Sequence, residues 1–179
     1  MKRVVQVFHP GMMRVARWER PCESTDVRSI HQALRDPAPG YLTAMFTHAH
    51  TLRVRYAETD RMGYVYYGVY AQYFEVARVE ALRSLGMSYK RMEDDGVMLP
   101  VHDLNVKYHL PAFYDDALTI HTRIAVKPSV RILFSYEVRN ERGDLLTEAT
   151  TTLVFIDKTT GRPCRAPQAL LDLFVPYFG

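Results

Sequence analysis

From Tyr70 to Leu85 the apolar side chains Tyr70, Tyr73, Phe74, Ala77, Ala81 and Leu85 recur at the three-and-four spacing of a helix face, with Arg78, Glu80 and Arg83 elsewhere around the cylinder. Gly86 supplies the stop. The apolar arc is wide, so the pattern predicts a helix enclosed by a sheet on at least one side. Ahead of it, Leu52 and Val54 alternate with Arg53 and Arg55, which predicts a strand over His50 to Tyr56. After Ser88 to Gly96, read as a short helix and loop, the period becomes two. Leu104, Val106, Tyr108 and Leu110 oppose Asn105, Lys107 and His109; Leu118, Ile120, Ile124 and Val126 oppose Thr119, His121 and Arg123. Ile132, Phe134, Tyr136 and Val138 oppose Ser135, Glu137 and Arg139. Each run predicts a strand with one buried face. Lys127-Pro128-Ser129 and the stretch from Asn140 to Asp144 are short joins, so the strands they connect should pair antiparallel. A fifth strand is expected from Leu145 to Ile156, closed by Thr159-Thr160-Gly161, then a small helix at about Gln168 to Phe174. One long helix followed by a meander of antiparallel strands describes an α+β domain, its helix lying against one face of a curved sheet.

Residues 1 to 44 show no sustained period, and Pro10-Gly11, Pro21, Pro37 and Pro39-Gly40 break any regular element. They read as an irregular extension, with short helical pieces at most near Val15 to Trp18 and Ser29 to Leu34. Residues 45 to 179 form the domain proper. The segment lacks the pattern of a signal peptide, and its four acidic residues argue against a transit peptide. The net charge of +3 also belongs here: residues 1 to 44 hold seven Lys or Arg against four Asp or Glu, leaving 16 of each for the remainder. The main domain therefore offers no basic face for nucleic acid. At 47% hydrophobic and 24% charged residues, with no apolar run near the ~20 residues of a membrane span, the composition is that of a soluble globular chain. Cys22 and Cys164 form neither a metal spacing nor a disulfide framework, which is simplest in a reducing cytoplasm.

Candidate chemistry collects in the stretch from Tyr56 to Tyr70, where a strand end, a glycine-bearing turn with Asp60, and a helix start follow one another. A helix start leaves its first N–H groups unpaired and carries partial positive charge, so it can stabilise a carbonyl oxygen that gains negative charge. Asp60 stands seven residues before Tyr67 and is placed to lie across from those amides. By itself an aspartate before a helix is most often a cap or turn residue.

The run Asp-x-x-Gly-x-Val-x-Tyr-x-x-Tyr from Asp60 to Tyr70, preceded by Tyr56 and followed by aromatics and Glu75, resembles the active-site signature of the hotdog-fold acyl-CoA thioesterases of the 4-hydroxybenzoyl-CoA thioesterase and YbgC type. The similarity extends over roughly residues 48 to 175. It implies a hotdog fold, a five-stranded antiparallel sheet wrapped around one long helix, in dimers joined edge to edge and often in tetramers, with the active site at the dimer interface. Because family members usually begin near Met45, translation is expected to start there. The resemblance gives Asp60 the role of nucleophile or general base, makes the Tyr67 backbone N–H the oxyanion donor, and lets Tyr56 position the aspartate or the substrate. Gly63, Val65 and Tyr70 are the substrate-binding positions of the motif, and Lys127, Ser129 and Arg131 are candidates for the CoA phosphates. Many members carry His at Tyr67, others Tyr; Asn is common at Val69, and valine cannot make an amide's hydrogen bonds. Glu75 is a helix carboxylate near the site, though a solvated or ion-paired glutamate is the commoner case. Tyr64, Tyr66, Tyr67, Tyr70 and Tyr73 could line an acyl pocket, with core packing as the default.

Thioester hydrolysis asks little for its leaving group, since an alkyl thiol has a pKa of about 8.5. One carboxylate and a helix start are chemically sufficient, and no cofactor is expected. The seven histidines have no pair at ligand spacing on a helix, and His48 with His50 lacks a third ligand, so no metal is expected. No Gly-x-Ser-x-Gly turn and no phosphate-cradling glycine loop occurs. The leading reading is a cytoplasmic acyl-CoA thioesterase, a homodimer or homotetramer without nucleic-acid partner or membrane span. Its rivals are an acyl carrier protein thioesterase and a non-catalytic acyl-CoA-binding module, the latter kept in view by Val69.

Overall fold

The computed structural model describes residues 45–178; the extension at 1 to 44, with its two expected helical pieces, lies outside them. In chain order the elements are β1 (Phe46–Arg53), two single-turn 3-10 helices (Tyr56–Glu58 and Tyr67–Val69), α1 (Tyr70–Ser84), α2 (Tyr89–Asp94), β2 (Val97–Met98), β3 (Val101–Tyr108), β4 (Ala117–Ile124), β5 (Arg131–Arg139), β6 (Leu145–Val154), β7 (Ile156–Asp157), α3 (Gln168–Leu173) and α4 (Val175–Phe178). The long helix and the strands fall where the two periodicities place them. β1 begins earlier than expected, at Phe46, and ends at Arg53, so Tyr56 sits in a 3-10 turn rather than a strand.

The main sheet has the order β1-β4-β5-β6-β3 and every pairing is antiparallel. The meander holds for β4, β5 and β6, whose joins are the two short ones. β3 departs from it: it crosses to pair with β6 and forms an outer edge. This overturns the buried face expected of β3, for Leu104, Tyr108 and the following Leu110 are 41%, 47% and 49% exposed. The reason lies in the packing of α1, which rests chiefly against β1 and β4 and meets β3 through the Tyr70–Tyr108 ring contact, while Val106 still packs on the core.

The inward side chains of the central strands, among them Leu118, Ile120, Phe134, Val138 and Leu153, are fully buried in one core cluster with the inner face of α1. Phe74 of α1 is fully buried and stacks on Tyr136 with centroids 4.7 Å apart. Burial of a side chain of that size contributes about 1.5–3 kcal/mol. The outer face of the sheet is polar. There Arg123 and Arg139 both bind Glu137, and although burial works against its charge, these bonds hold the carboxyl below the usual carboxylate range. Among the described residues no helix is long and apolar enough to cross a membrane.

Candidate active site

Beyond β1 the chain is pinned by Val54, fully buried, whose N–H bonds the Asp116 carbonyl at 3.0 Å. A tight hairpin follows. Its rungs are Tyr66 N–H to Glu58 carbonyl and Asp60 N–H to Tyr64 carbonyl, both 2.9 Å, and Gly63 N–H closes the tip on the Asp60 carbonyl at 2.9 Å. Gly63 has φ +84°, a conformation that glycine enters at little cost, which is why the motif needs it there. Val65, 3% exposed, seats the returning arm in the core, and its N–H bonds the Ala112 carbonyl.

Asp60 thus stands at a fixed hairpin tip. One carboxylate oxygen accepts the Met62 N–H at 2.8 Å, the usual turn role of aspartate. The other oxygen has no hydrogen-bond partner among the described residues and is available for chemistry. Directly after the hairpin, Tyr67–Val69 winds into α1. The first turn bond is Val69 N–H to Tyr66 carbonyl at 2.9 Å, so the N–H groups of Tyr67 and Gly68 precede it and stand as helix-start donors. The Tyr66 phenol is held above its ordinary pKa, first by the neighbouring Tyr67 phenol and least by the Asp60 charge.

Two side chains that carry no signal in the spacing brace this arrangement. Glu58 accepts both the Arg55 N–H and the Tyr73 hydroxyl at 2.7 Å, tying the hairpin to α1. Burial, then the Glu58 carboxylate, push the Tyr73 phenol upward, so it remains a donor. Tyr108, on the β3 edge, donates to the Tyr67 carbonyl at 3.0 Å and meets the Tyr70 ring edge-on at 5.3 Å. Its place in an alternating strand reads simply as core.

The tyrosines expected near an acyl pocket divide. Tyr70 and Tyr73 are each 3% exposed and belong to the core, whereas Tyr66 and Tyr67 are open to solvent. Tyr56 is 76% exposed and its ring meets Tyr114 edge-on at 5.5 Å, away from the core. Val69 packs against the core cluster. Glu75 is exposed and pairs with the buried Arg78 at 3.7 Å, beyond the first turn of α1. Lys127, Ser129 and Arg131 are exposed around the β4–β5 join, at the end of β4 opposite to the Asp60 hairpin. Eight residues of strand separate the two ends, about 25 Å. Within one chain, then, the expected phosphate contacts and the expected catalytic residues are not brought together.

Against known families, residues 54–174 match the model of the thioesterase-like superfamily. The chain belongs to that superfamily. The five-stranded antiparallel sheet curled about α1 is its hotdog fold, and this protein is a thioester hydrolase. YneP of Bacillus subtilis (strain 168) is 35% identical to this thioesterase over 126 residues, 70% of the chain and 91% of YneP. Acyl-CoA thioester hydrolase YbgC of Escherichia coli O6:H1 is 32% identical over 123 residues, 69% of the chain and 92% of YbgC. Among solved structures, a DHNA-CoA thioesterase from Staphylococcus aureus is 39% identical with a TM-score of 0.65, covering 73% of this thioesterase and 84% of that chain.

Proposed function

We propose that this thioesterase hydrolyses acyl-CoA to free acid and CoA, with Asp60 as nucleophile or general base and the Tyr67 N–H polarising the thioester carbonyl. The observation that carries the reading is the Asp60 carboxylate oxygen left without a partner among the described residues, on a hydrogen-bonded hairpin tip that leads within a few residues into the helix-start amides. If Asp60 attacks, its oxygen forms a mixed anhydride as CoA leaves as thiolate, and water then opens the anhydride; if it acts as base, it takes the proton of the attacking water. In both cases the negative charge gathering on the carbonyl oxygen meets the donors of Tyr67 and Gly68. The names of YbgC and of the Staphylococcus aureus enzyme support CoA as the carrier. The motif's substrate-binding positions divide accordingly: Gly63 and Val65 shape the hairpin, Tyr70 walls the helix start from within, and Tyr56 stands at the rim.

The working unit in this reading is a dimer. Among the described residues β3 is an outer strand of the sheet, with Val101, Leu104 and Tyr108 exposed. Tyr108 marks the Asp60 end of the sheet, and Val101 marks the end that carries Arg131, through the pairs Val101 with Leu153 and Arg131 with Val154. Antiparallel pairing of two β3 edges about a two-fold axis sets the Val101 end of one chain beside the Tyr108 end of the other. Lys127, Ser129 and Arg131 of the partner subunit then approach Asp60, which removes the 25 Å separation noted within one chain (about eight residues of strand). The sequence features of a cytoplasmic enzyme accompany this reading.

Thiol release from short, long and aromatic acyl-CoAs, compared between wild type and Asp60→Asn, tests the proposal. Turnover that collapses in the variant supports it. Hydrolysis of carrier-protein thioesters in preference to CoA thioesters replaces the substrate, and binding without turnover replaces the activity.

A further inference from the structure

The ring of Tyr66 occupies an unusual seat. A Cβ built on Gly68 would come within 2.7 Å of Tyr66 Cε1 and 3.3 Å of Cδ1, so the edge of the ring fills the place where any other residue at 68 would carry its side chain. The Tyr67 ring lies beside it, centroids 4.4 Å apart and tilted by 45°. Tyr66 is nonetheless 44% exposed. One edge of the ring is therefore held on backbone at the helix start while part of its surface remains open, beside the amides of Tyr67 and Gly68 and within the field of Asp60.

We infer that Tyr66 determines acyl specificity: its ring, seated on Gly68, is the platform on which a planar aromatic acyl group stacks when its thioester carbonyl reaches the helix-start amides. The inference rests on the proposed thioesterase site. An acyl group attached to a carbonyl at the Tyr67 and Gly68 amides meets the exposed aromatic surface there, which Tyr66 shares with Tyr67 and of which the Tyr66 ring is the part seated on Gly68. A flexible alkyl chain gains from it only apolar area, whereas an aromatic ring also gains offset or edge-to-face geometry. That difference amounts to roughly twofold to tenfold in affinity. The ring already rests on Gly68 and against Tyr67, contacts that lower the side-chain freedom to be lost on binding.

The test measures dissociation constants, by titration calorimetry on the full chain, for two non-hydrolysable CoA thioethers of equal carbon count. One carries a 2-oxo-2-phenylethyl group and the other a linear 2-oxoalkyl group; kcat/KM for benzoyl-CoA and a linear acyl-CoA is measured in parallel. Wild type is expected to favour the aryl analogue several-fold, and Tyr66→Phe to keep that preference. Tyr66→Leu should bring the ratio close to one, chiefly by weakening the aryl analogue. Gly68→Ala, which displaces the ring without altering Tyr66, should erode the ratio as well. Matched melting temperatures separate these effects from unfolding, and a general loss of structure would weaken both analogues alike. A wild-type ratio near one, or a ratio unchanged in Tyr66→Leu, overturns the inference while acyl-CoA hydrolysis leaves the proposed function standing. Failure of wild type to bind or hydrolyse any CoA thioester removes both.

Discussion

The phenol of Tyr108 on the edge strand donates a 3.0 Å hydrogen bond to the carbonyl of Tyr67 at the first turn of the helix. It links the strand edge proposed for dimer formation to the Tyr67–Gly68 peptide, which carries the Gly68 N–H and adjoins the Tyr67 N–H proposed to polarise the thioester. Tyr108→Phe keeps the ring contact with Tyr70 and removes the bond. A bond of this kind is worth about 0.5–1.5 kcal/mol. The expected result is a twofold to tenfold fall in kcat by steady-state assay, about what that free energy represents, with a small change in melting temperature.

Asp60→Asn is expected to reduce kcat by about two to four orders of magnitude, the usual contribution of a positioned base. The asparagine oxygen can still accept the Met62 N–H, so the hairpin tip should persist and thermal stability should stay close to wild type. Retention of full activity across the acyl-CoA panel would remove Asp60 from the mechanism.

The two-chain site makes a complementation prediction. Asp60→Asn and the double variant Lys127→Ala, Arg131→Ala should each be weak alone. Unfolded together and refolded as a mixture, they should recover about a quarter of wild-type activity, because half the dimers are hybrids and each hybrid holds one intact site. No recovery would place both groups in one chain. Leu104→Lys, which puts a charge on the exposed edge, should shift sedimentation toward the monomer and lower activity with it.

Glu58→Ala leaves the Tyr73 hydroxyl and the Arg55 N–H without their acceptor. Denaturant titration should register a loss of about 1–3 kcal/mol, the cost of unsatisfied groups in a part-buried place. Glu58→Gln keeps one acceptor oxygen and should fall between that variant and wild type.

His48 on β1 gives the fold an acid-sensitive point. Burial, aided by His50 and opposed by Glu80, lowers its pKa, and its Nδ1 is shut from solvent without a partner among the described residues. The unfolded chain takes up the proton near the ordinary histidine value of about 6.5, the folded chain at lower pH. This contribution to stability is therefore complete above that value and declines as the pH falls toward the folded pKa. Melting temperatures at pH 7.5 and 5.5 should diverge less in His48→Asn than in wild type.

Much of the architecture was legible because each element declares its period locally. The stripe from Tyr70 through Ala81 could only be a helix with a wide buried face, and the alternation from Leu118 to Val138 could only be strands. The motif from Asp60 to Tyr70 pointed to a carboxylate near a helix start because turn, glycine and helix are adjacent in sequence. Glu58 escaped notice because its partner Tyr73 lies on another element, and a glutamate in a turn reads as solvated.

The chain by itself determined the period of every main element, the turn that needs glycine at 63, and the short joins that make β4, β5 and β6 neighbours. Tertiary structure decided what local pattern does not encode. It sent β3 to the far edge beside β6, so that Leu104, Tyr108 and Leu110 stand exposed despite a strand pattern that reads as half-buried. It set Lys127 and Arg131 at the opposite end of the sheet from Asp60, and it laid the Tyr66 ring on Gly68. The physical reason is common to all three. Side-chain period reports which residues share a face, while strand order and the position of the helix decide whether that face meets core, solvent or another chain.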